Sequence, residues 1–281
     1  MSGSLVLVST PIGNLGDLTP RAVDALRGCA LICCEDTRHS GKLLSHAGVS
    51  GVRLAVANEH TEAARVDEVL GLLAGGSDVA VVTDAGTPGI SDPGARLVQA
   101  AAAAGHRVTA VPGPAAFVMA LVLSGLDTSR FVFEGFVPRS GRERSDRLTE
   151  IATERRTTVL YEAPHRVART VADLAEACGG DRRVALAREL TKLYEDVWRG
   201  TLHQAGEHMV ANEPRGEYVI VLEGAPAAEP LDDDAILLAL RHELDAGADR
   251  RHAIANVVDR TRTPKRRVYD LALTIPRTAA P

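Results

Sequence analysis

Five short apolar runs punctuate the first 113 residues, and all five are continuous rather than alternating: LVLVST (5–10), ALICCE (30–35), RLAVA (53–57), DVAVVTD (78–84) and RVTAVPG (107–113). A strand that is apolar on both sides must be buried on both faces, which is the condition of a parallel sheet covered by helices above and below. Helix-like segments do lie between the runs, near 38–47, 61–74 and 92–104. Thr19-Pro20 begins another, with a capping threonine and a proline at the first helical position. The alternation predicts an N-terminal α/β domain over residues 1–115 built on a parallel sheet.

After about residue 125 the pattern changes. FVFEGF, TTVLYEA, RVALARE, YEDVWRGTL and EYVIVLEG read as strands with fewer helices between them, the last two joined by one helical segment around 203–212. They predict a second α/β domain, with a mixed sheet, over 116–225. GAPAAEPLDDD (224–234) reads as a linker, and AILLALRHELDAG, DRRHAIANVVDRT and TPKRRVYDLAL read as three short helices. Residues 226–281 are therefore expected to be a linker and a basic helical appendix.

Of the 281 residues, 25% are charged and 45% apolar, an ordinary globular composition, while aromatics at 3% leave little surface for stacking bases. The net charge of −5 is unevenly spread: residues 241–281 hold nine Lys or Arg against five Asp or Glu, so the rest of the chain stands at −9. A basic appendix on an acidic body suits a polyanionic partner, although solvated arginine-rich helices look the same. Cys29, Cys33, Cys34 and Cys178 have no metal-ligand spacing, so no metal is expected and reduced thiols fit a cytoplasmic location. The adjacent Cys33 and Cys34 should face opposite sides of their strand. No basic leader precedes the first strand and no apolar run approaches a membrane span.

The chemistry is expected at the strand ends. The dinucleotide fingerprint G-x-G-x-x-G is absent; Gly13 and Gly16 in STPIGNLGDLT have the wrong spacing, and no Walker motif occurs. VTDAGTPGISDPG (82–94) carries acids and prolines where a phosphate cradle needs bare backbone N–H groups. That loop and VPGPAAF (111–117) end two strands, at the edge where open α/β sheets bind ligands, and Gly113, Ala115 and Ala116 leave room there. S-adenosylmethionine, a phosphate-free cation attached to a nucleoside, suits such loops. Gly/Pro-rich turns alone do not name it.

The set STPIGNLGDLTPRA (9–22), CEDTRHSGKLL (34–44), NEHTE (58–62), TDAGTPGISDPG (83–94), PGPAAFVMAL (112–121), LYEAPHR (160–166), ARELTKLYE (187–195) and GEYVIVLEG (216–224) resembles the tetrapyrrole-methylase-like superfamily. EDTR, NEHT and LYEAPHR are similar to its branch that modifies ribosomal RNA. The resemblance implies an S-adenosylmethionine-dependent enzyme that methylates the ribose 2′-OH of a cytidine in the decoding region of 16S rRNA. It also implies two α/β domains with the cofactor in the cleft between them, and a homodimer. Carried over by position, the cofactor meets Pro11 after the first strand, Asp84, Gly86 and Ile90 in the long loop, and Ala115 and Ala116 after PGP. Tyr161, Glu162, Glu189 and Tyr218 approach the adenine, chiefly through backbone atoms.

A ribose hydroxyl is a poor nucleophile at neutral pH, so a proton acceptor should help. Asp36 after the second strand is the first candidate, Glu59 the second, and His60 could also take a proton. Asp36 is equally suited to cap the helix near residue 38. RNA contacts are expected from Arg38 and Lys42, and from Arg139, Arg142 and Arg144 in PRSGRERSDR (138–147), a mobile loop or a charged helix start. In the appendix, Thr263 should cap a helix with Pro264 at its first position, so that Lys265 and Arg266 face phosphate; three consecutive cations, with Arg267, cannot share one helix face. Two rival readings share much of this layout: a precorrin-type C-methyltransferase, and a non-catalytic RNA-binding assembly factor.

Overall fold

A computed structural model describes residues 2–226, 231–261 and 263–276; residues 227–230 of the expected linker lie outside the described residues, as do 277–281. The chain forms two compact units, Met1–Ala225 and Pro226–Pro281.

In the first unit, β1 (Ser4–Val8), β2 (Leu31–Cys34), β3 (Arg53–Val56), β4 (Val79–Val81) and β5 (Arg107–Val111) form a parallel sheet in the order β3-β2-β4-β1-β5. Helices α1 (Pro20–Gly28), α2 (Thr37–His46), α3 (Glu62–Ala74) and α4 (Ala95–Ala103) cover it. Cys34 packs with Leu26 of α1 and Leu44 of α2, whereas Cys33 packs with Leu73 of α3 and Leu97 of α4. Neighbouring residues of one strand thus feed two cores, as the pleat requires. Burial pushes the Cys33 thiol up to about 12, so it stays protonated and acts as a small apolar side chain.

Helix α5 (Ala116–Ser124) leads to a mixed sheet of β6 (Phe131–Phe136), β7 (Thr157–Glu162), β8 (Arg183–Arg188), β9 (Asp196–Thr201) and β10 (Tyr218–Leu222), in the order β6-β7-β10-β8-β9. Only β6 and β7 run parallel; the other pairs are antiparallel. Tyr218, Ile220 and Leu222 face α6 (Gly141–Thr153), α7 (Pro164–Cys178) and α8 (Leu202–Ala211), while Val219 and Val221 face α5. The core on the α5 side also takes in Ile12, from the loop after β1. One apolar side chain thereby joins the first sheet's loop edge to the second sheet.

The PRSGRERSDR segment is the approach to α6 and its first turns rather than a loop, which corrects the reading of Arg144. Arg144 is 4% exposed. Its guanidinium donates to Asp173 at 2.8 Å, to the Pro138 carbonyl at 2.9 Å and to the Thr170 hydroxyl at 3.0 Å, so it anchors α6 to α7 and has no free face for RNA.

The second unit holds α9 (Asp233–Asp245), α10 (Arg250–Thr261) and α11 (Lys265–Thr274) around Ile236, Leu240, Val257 and Val268. Pro264 itself occupies the N-cap of α11 with no side-chain bond to the helix, one position later than expected. Thr263 is buried, and its hydroxyl accepts a bond from Thr261 at 2.9 Å instead of capping α11.

Helix α4 begins at Gly94, whose φ of 129° suits glycine and which offers no capping side chain. Glu62 of α3 supplies the cap: 4% exposed, its Oε1 accepts from Gly94 N and Leu97 N, each at 3.0 Å. Glu62→Ala orphans both donors and should cost ~3 kcal/mol, read as a lower urea midpoint at unchanged slope. Glu62→Gln keeps an acceptor and should cost about 1 kcal/mol.

Candidate functional site

Three loops leave the carboxyl edge of the first sheet and are knitted together by short polar contacts. Thr10 and Gly86 exchange backbone bonds of 2.8 and 3.1 Å, joining the loop after β1 to the loop after β4. The Thr87 hydroxyl lies 3.1 Å from that of Ser9 and donates to the Pro114 carbonyl at 3.2 Å, bringing in the loop after β5. At Gly113 a Cβ would lie 2.8 Å from that of Ser9, so the close approach there requires glycine.

Between these loops and the second sheet lies a cavity of about 450 Å³, within the range of sites for small molecules and cofactors. Of the expected cofactor residues, Asp84, Gly86, Ile90, Ala115, Ala116, Tyr161, Glu162 and Tyr218 line it. Pro11 does not; it is buried, and its neighbour Ile12 forms the wall. Glu189 does not either: its carboxylate accepts from Glu217 N at 2.9 Å and from Lys192 Nζ at 2.8 Å beside the wall. Glu162 lines the cavity, but its carboxylate is committed to Thr170 at 2.7 Å, Ala163 N at 2.9 Å and Arg166 at 3.2 Å.

The walls differ in character. On the sheet-two side Phe117, Phe136 and Tyr161 line it. Behind them Phe133 meets the tilted ring of Phe117 at 4.6 Å and Tyr161 edge-on at 5.0 Å, and Tyr161 meets Phe136 at 5.6 Å. With Phe131 at 6.4 Å from Phe117, all four phenylalanines of the chain gather here. The opposite wall is acidic. Glu35 accepts from the Thr83 hydroxyl and, at 3.1 Å, from Asp84 N. Asp84 and Asp92 stand close to this carboxylate. Burial, then the charge of Glu35, raises the Asp84 carboxyl, and the same two causes push Asp92 from the ordinary 3.8 up to about 6. The buried Oδ1 of Asp84 has no hydrogen-bond partner.

Asp36 and Glu59 are absent from the lining, as is the exposed His60. Asp36 caps α2, accepting from Arg38 N at 2.8 Å and pairing with its guanidinium at 2.9 Å. The Arg38 hydrogen bonds hold that carboxyl down to about 2, which makes it a feeble proton acceptor. Lys42, Arg139, Lys265 and Arg266 are exposed. Arg38 is paired with Asp36, Arg142 leans on Asp146 at 3.5 Å, and Arg267 on Asp233 at 2.6 Å. Sequence reasoning did not single out Glu35, Asp92, Thr87, Lys192 or the phenylalanine cluster; the doubled acid of CEDTR was the one visible signal, and of its two members it is Glu35, not Asp36, that lines the cavity.

The model for Tetrapyrrole (Corrin/Porphyrin) Methylases matches residues 4–206. Ribosomal RNA small subunit methyltransferase I of Synechocystis is 45% identical over 273 residues, covering 96% of this chain and 98% of that protein. The protein of the same name from Xylella fastidiosa (strain Temecula1) is 49% identical over 225 residues, covering 79% and 82%. The chain belongs to the ribosomal RNA small subunit methyltransferase I family, within the tetrapyrrole methylases. Among solved structures, the methyltransferase CobJ superposes with a TM-score of 0.60 at 21% identity, over 80% of this chain and 95% of that one. Uroporphyrin-III-C-methyltransferase from Thermus thermophilus gives 0.53 at 19%, over 82% and 100%. At those identities the likeness is one of fold.

The raised Asp92 carboxyl has a consequence for stability. Between about pH 4 and 6 the folded protein holds a proton that the unfolded chain has lost, so this group's stabilisation is full below pH 4 and disappears as pH rises through about 6. Asp92→Asn keeps the neutral shape at every pH. Thermal melts should show the variant matching the parent near pH 4 and exceeding it at pH 7.

Proposed function

We propose that this chain transfers a methyl group from S-adenosyl-L-methionine to the ribose 2′-OH of a cytidine in the decoding region of 16S ribosomal RNA. The observation that carries the reading is a cavity with one acidic wall and one aromatic wall, in a chain whose relatives of 45–49% identity are named for methylating small-subunit rRNA. The donor's parts fit it. Asp84 and Asp92 are carboxylates pushed toward neutrality by burial and by Glu35, and Asp84 keeps an unpartnered oxygen, so a cation beside them relieves an existing penalty. Ala115 and Ala116 give the chain a surface without bulk, and Tyr161 offers an apolar face to a nucleoside. Tyr218, whose ring packs into the core under α6 to α8, borders the cavity through its backbone.

When bound, the donor supplies a methyl group on an already activated sulfonium. The protein's tasks are then to align the hydroxyl, exclude water and take a proton. Asp92 suits the last task better than Asp36 or Glu59: it lines the cavity, and an acceptor near 6 lies closer to neutral operation than one near 2.

Outside the cavity, Lys265 and Arg266 occupy the first turn of α11, where the helix dipole disfavours cations, and a polyanionic partner supplies a reason for their placement. The homodimer implied by the resemblance finds support in α5, whose nine residues carry no charge and whose Met119, Val122 and Leu123 are exposed.

Incubation of small ribosomal subunits with methyl-labelled donor tests the function. One alkali-resistant linkage is expected, 3′ to a cytidine; label on a tetrapyrrole, or none on RNA, would replace this reading with one of its rivals. Asp36→Asn should turn over near the parent rate, whereas Asp92→Asn should lose roughly 10²-fold in kcat. Paired replacement of Lys265 and Arg266 by Gln should leave donor affinity unchanged and flatten the salt dependence of RNA binding by roughly 1.5 in log–log slope.

A further inference from the structure

The cavity wall carries Glu35, Asp84, Asp92, Glu162 and Glu217, and among the described residues its one cation is Lys192. RNA brought to that wall meets carboxylates, so the phosphate nearest the inserted nucleotide needs a positive group at the rim.

Lys192 is held there by an unusual turn between β8 and β9. Glu189 and Thr191 have φ of 50° and 67°, a left-handed backbone that a β-branched threonine adopts only under constraint. Lys192 N donates to the Glu189 carbonyl at 3.0 Å, and Thr191 N donates to Glu195 at 2.6 Å. The lysine stem then crosses the loop after β1 so closely that a Cβ on Gly13 would lie 2.3 Å from its Cγ. Its ammonium donates to Glu189 at 2.8 Å and to Glu217 at 2.9 Å. An ammonium has three donors, which leaves one free at the cavity edge. The Lys192 side chain is 28% exposed and that of Glu217 78%, so the ammonium is half-buried at the cavity edge beside an exposed carboxylate.

We propose that Lys192 receives a backbone phosphate of the substrate RNA beside the nucleotide that enters the cavity. This rests on the RNA-methylation reading above. Lys192 is then a substrate-binding residue, with Glu189 and Glu217 aiming it, and it acts alike on any sequence that threads past.

Lys192→Gln and Lys192→Arg separate this role from that of a structural strap, using the full-length chain, S-adenosylmethionine and small ribosomal subunits. The Gln variant should keep the parent's donor affinity by calorimetry and its kcat at saturating RNA. Its RNA KM should rise roughly tenfold, and the log–log salt slope should fall by about 1. The Arg variant should restore both. An unchanged salt slope in the Gln variant, or loss of donor affinity in parallel with RNA affinity, would overturn the proposal and leave Lys192 a strap. Failure of the parent protein to methylate RNA at all is a separate result: it removes the functional reading before either variant is compared.

Discussion

The stretch from Val82 to Gly94 has no repeating structure of its own, and two buried or half-buried carboxylates hold its ends. Glu35, beyond β2, accepts from Asp84 N at the start; Glu62, at the head of α3, accepts from Gly94 N at the finish. Between them Gly86, Gly89 and Ser91 take positive φ, and the loop touches its surroundings at Thr10, Pro114 and Gly135. A 13-residue loop carrying that much unusual backbone would wander if its terminal amides were left to water. Acidic side chains can hold it because a charged acceptor makes a stronger bond to an amide than a neutral one. The cavity inherits its wall from this arrangement.

The same choice sets the electrostatics. Glu35 is spent as a backbone acceptor, yet its charge remains and works against Asp84 and Asp92. The loop is thus held in place by a group that makes its other two acids uncomfortable. In a purely structural loop such repulsion is a defect that neutral residues would remove. At a binding wall it is a standing preference for a cation, and the stability given up in the free protein returns when one arrives. Asp84's unpartnered oxygen fits this account, because a carboxylate with a satisfied oxygen has less to gain from a ligand.

Much of the framework was legible because burial on both faces leaves a strong mark: all five parallel strands were visible as apolar runs, and the helices between them fell within a few residues of their positions. The site was only half legible. Its small residues, Gly86, Ala115 and Ala116, stood out as loop composition. The choice between Glu35 and Asp36 depended on β2 lying beside β4, whose paired residues are 48 positions away in the chain, and no local pattern records that pairing. Where α2 begins at Thr37, Asp36 becomes its cap and Glu35 is the acid left to reach Asp84. The arginines near 140 failed for a related reason. Read as a loop they are equivalent, but on a helix a step of two residues turns Arg142 outward and Arg144 into the α7 contact. Lys192 left no trace, since the left-handed backbone beside it falls on Glu and Thr rather than on glycine.

A cationic donor and a polyanionic acceptor ask for opposite fields within one cleft. Uniform acidity would hold the first and repel the second; uniform basicity would do the reverse. Charges a few ångströms apart interact by several kcal/mol near a protein surface, but the interaction fades within about a Debye length, so the conflict is resolved by distance. Here Asp84 and Asp92 sit on the β4 loop and Lys192 on the β8–β9 turn, contributed by different sheets, and on its own side the lysine is held by Glu189 and Glu217. Ile12 and the packed α5 fix the spacing between those sheets. The apolar core between the halves therefore does more than fold the chain: it sets where the acids of the β4 loop stand relative to Lys192 on the other sheet.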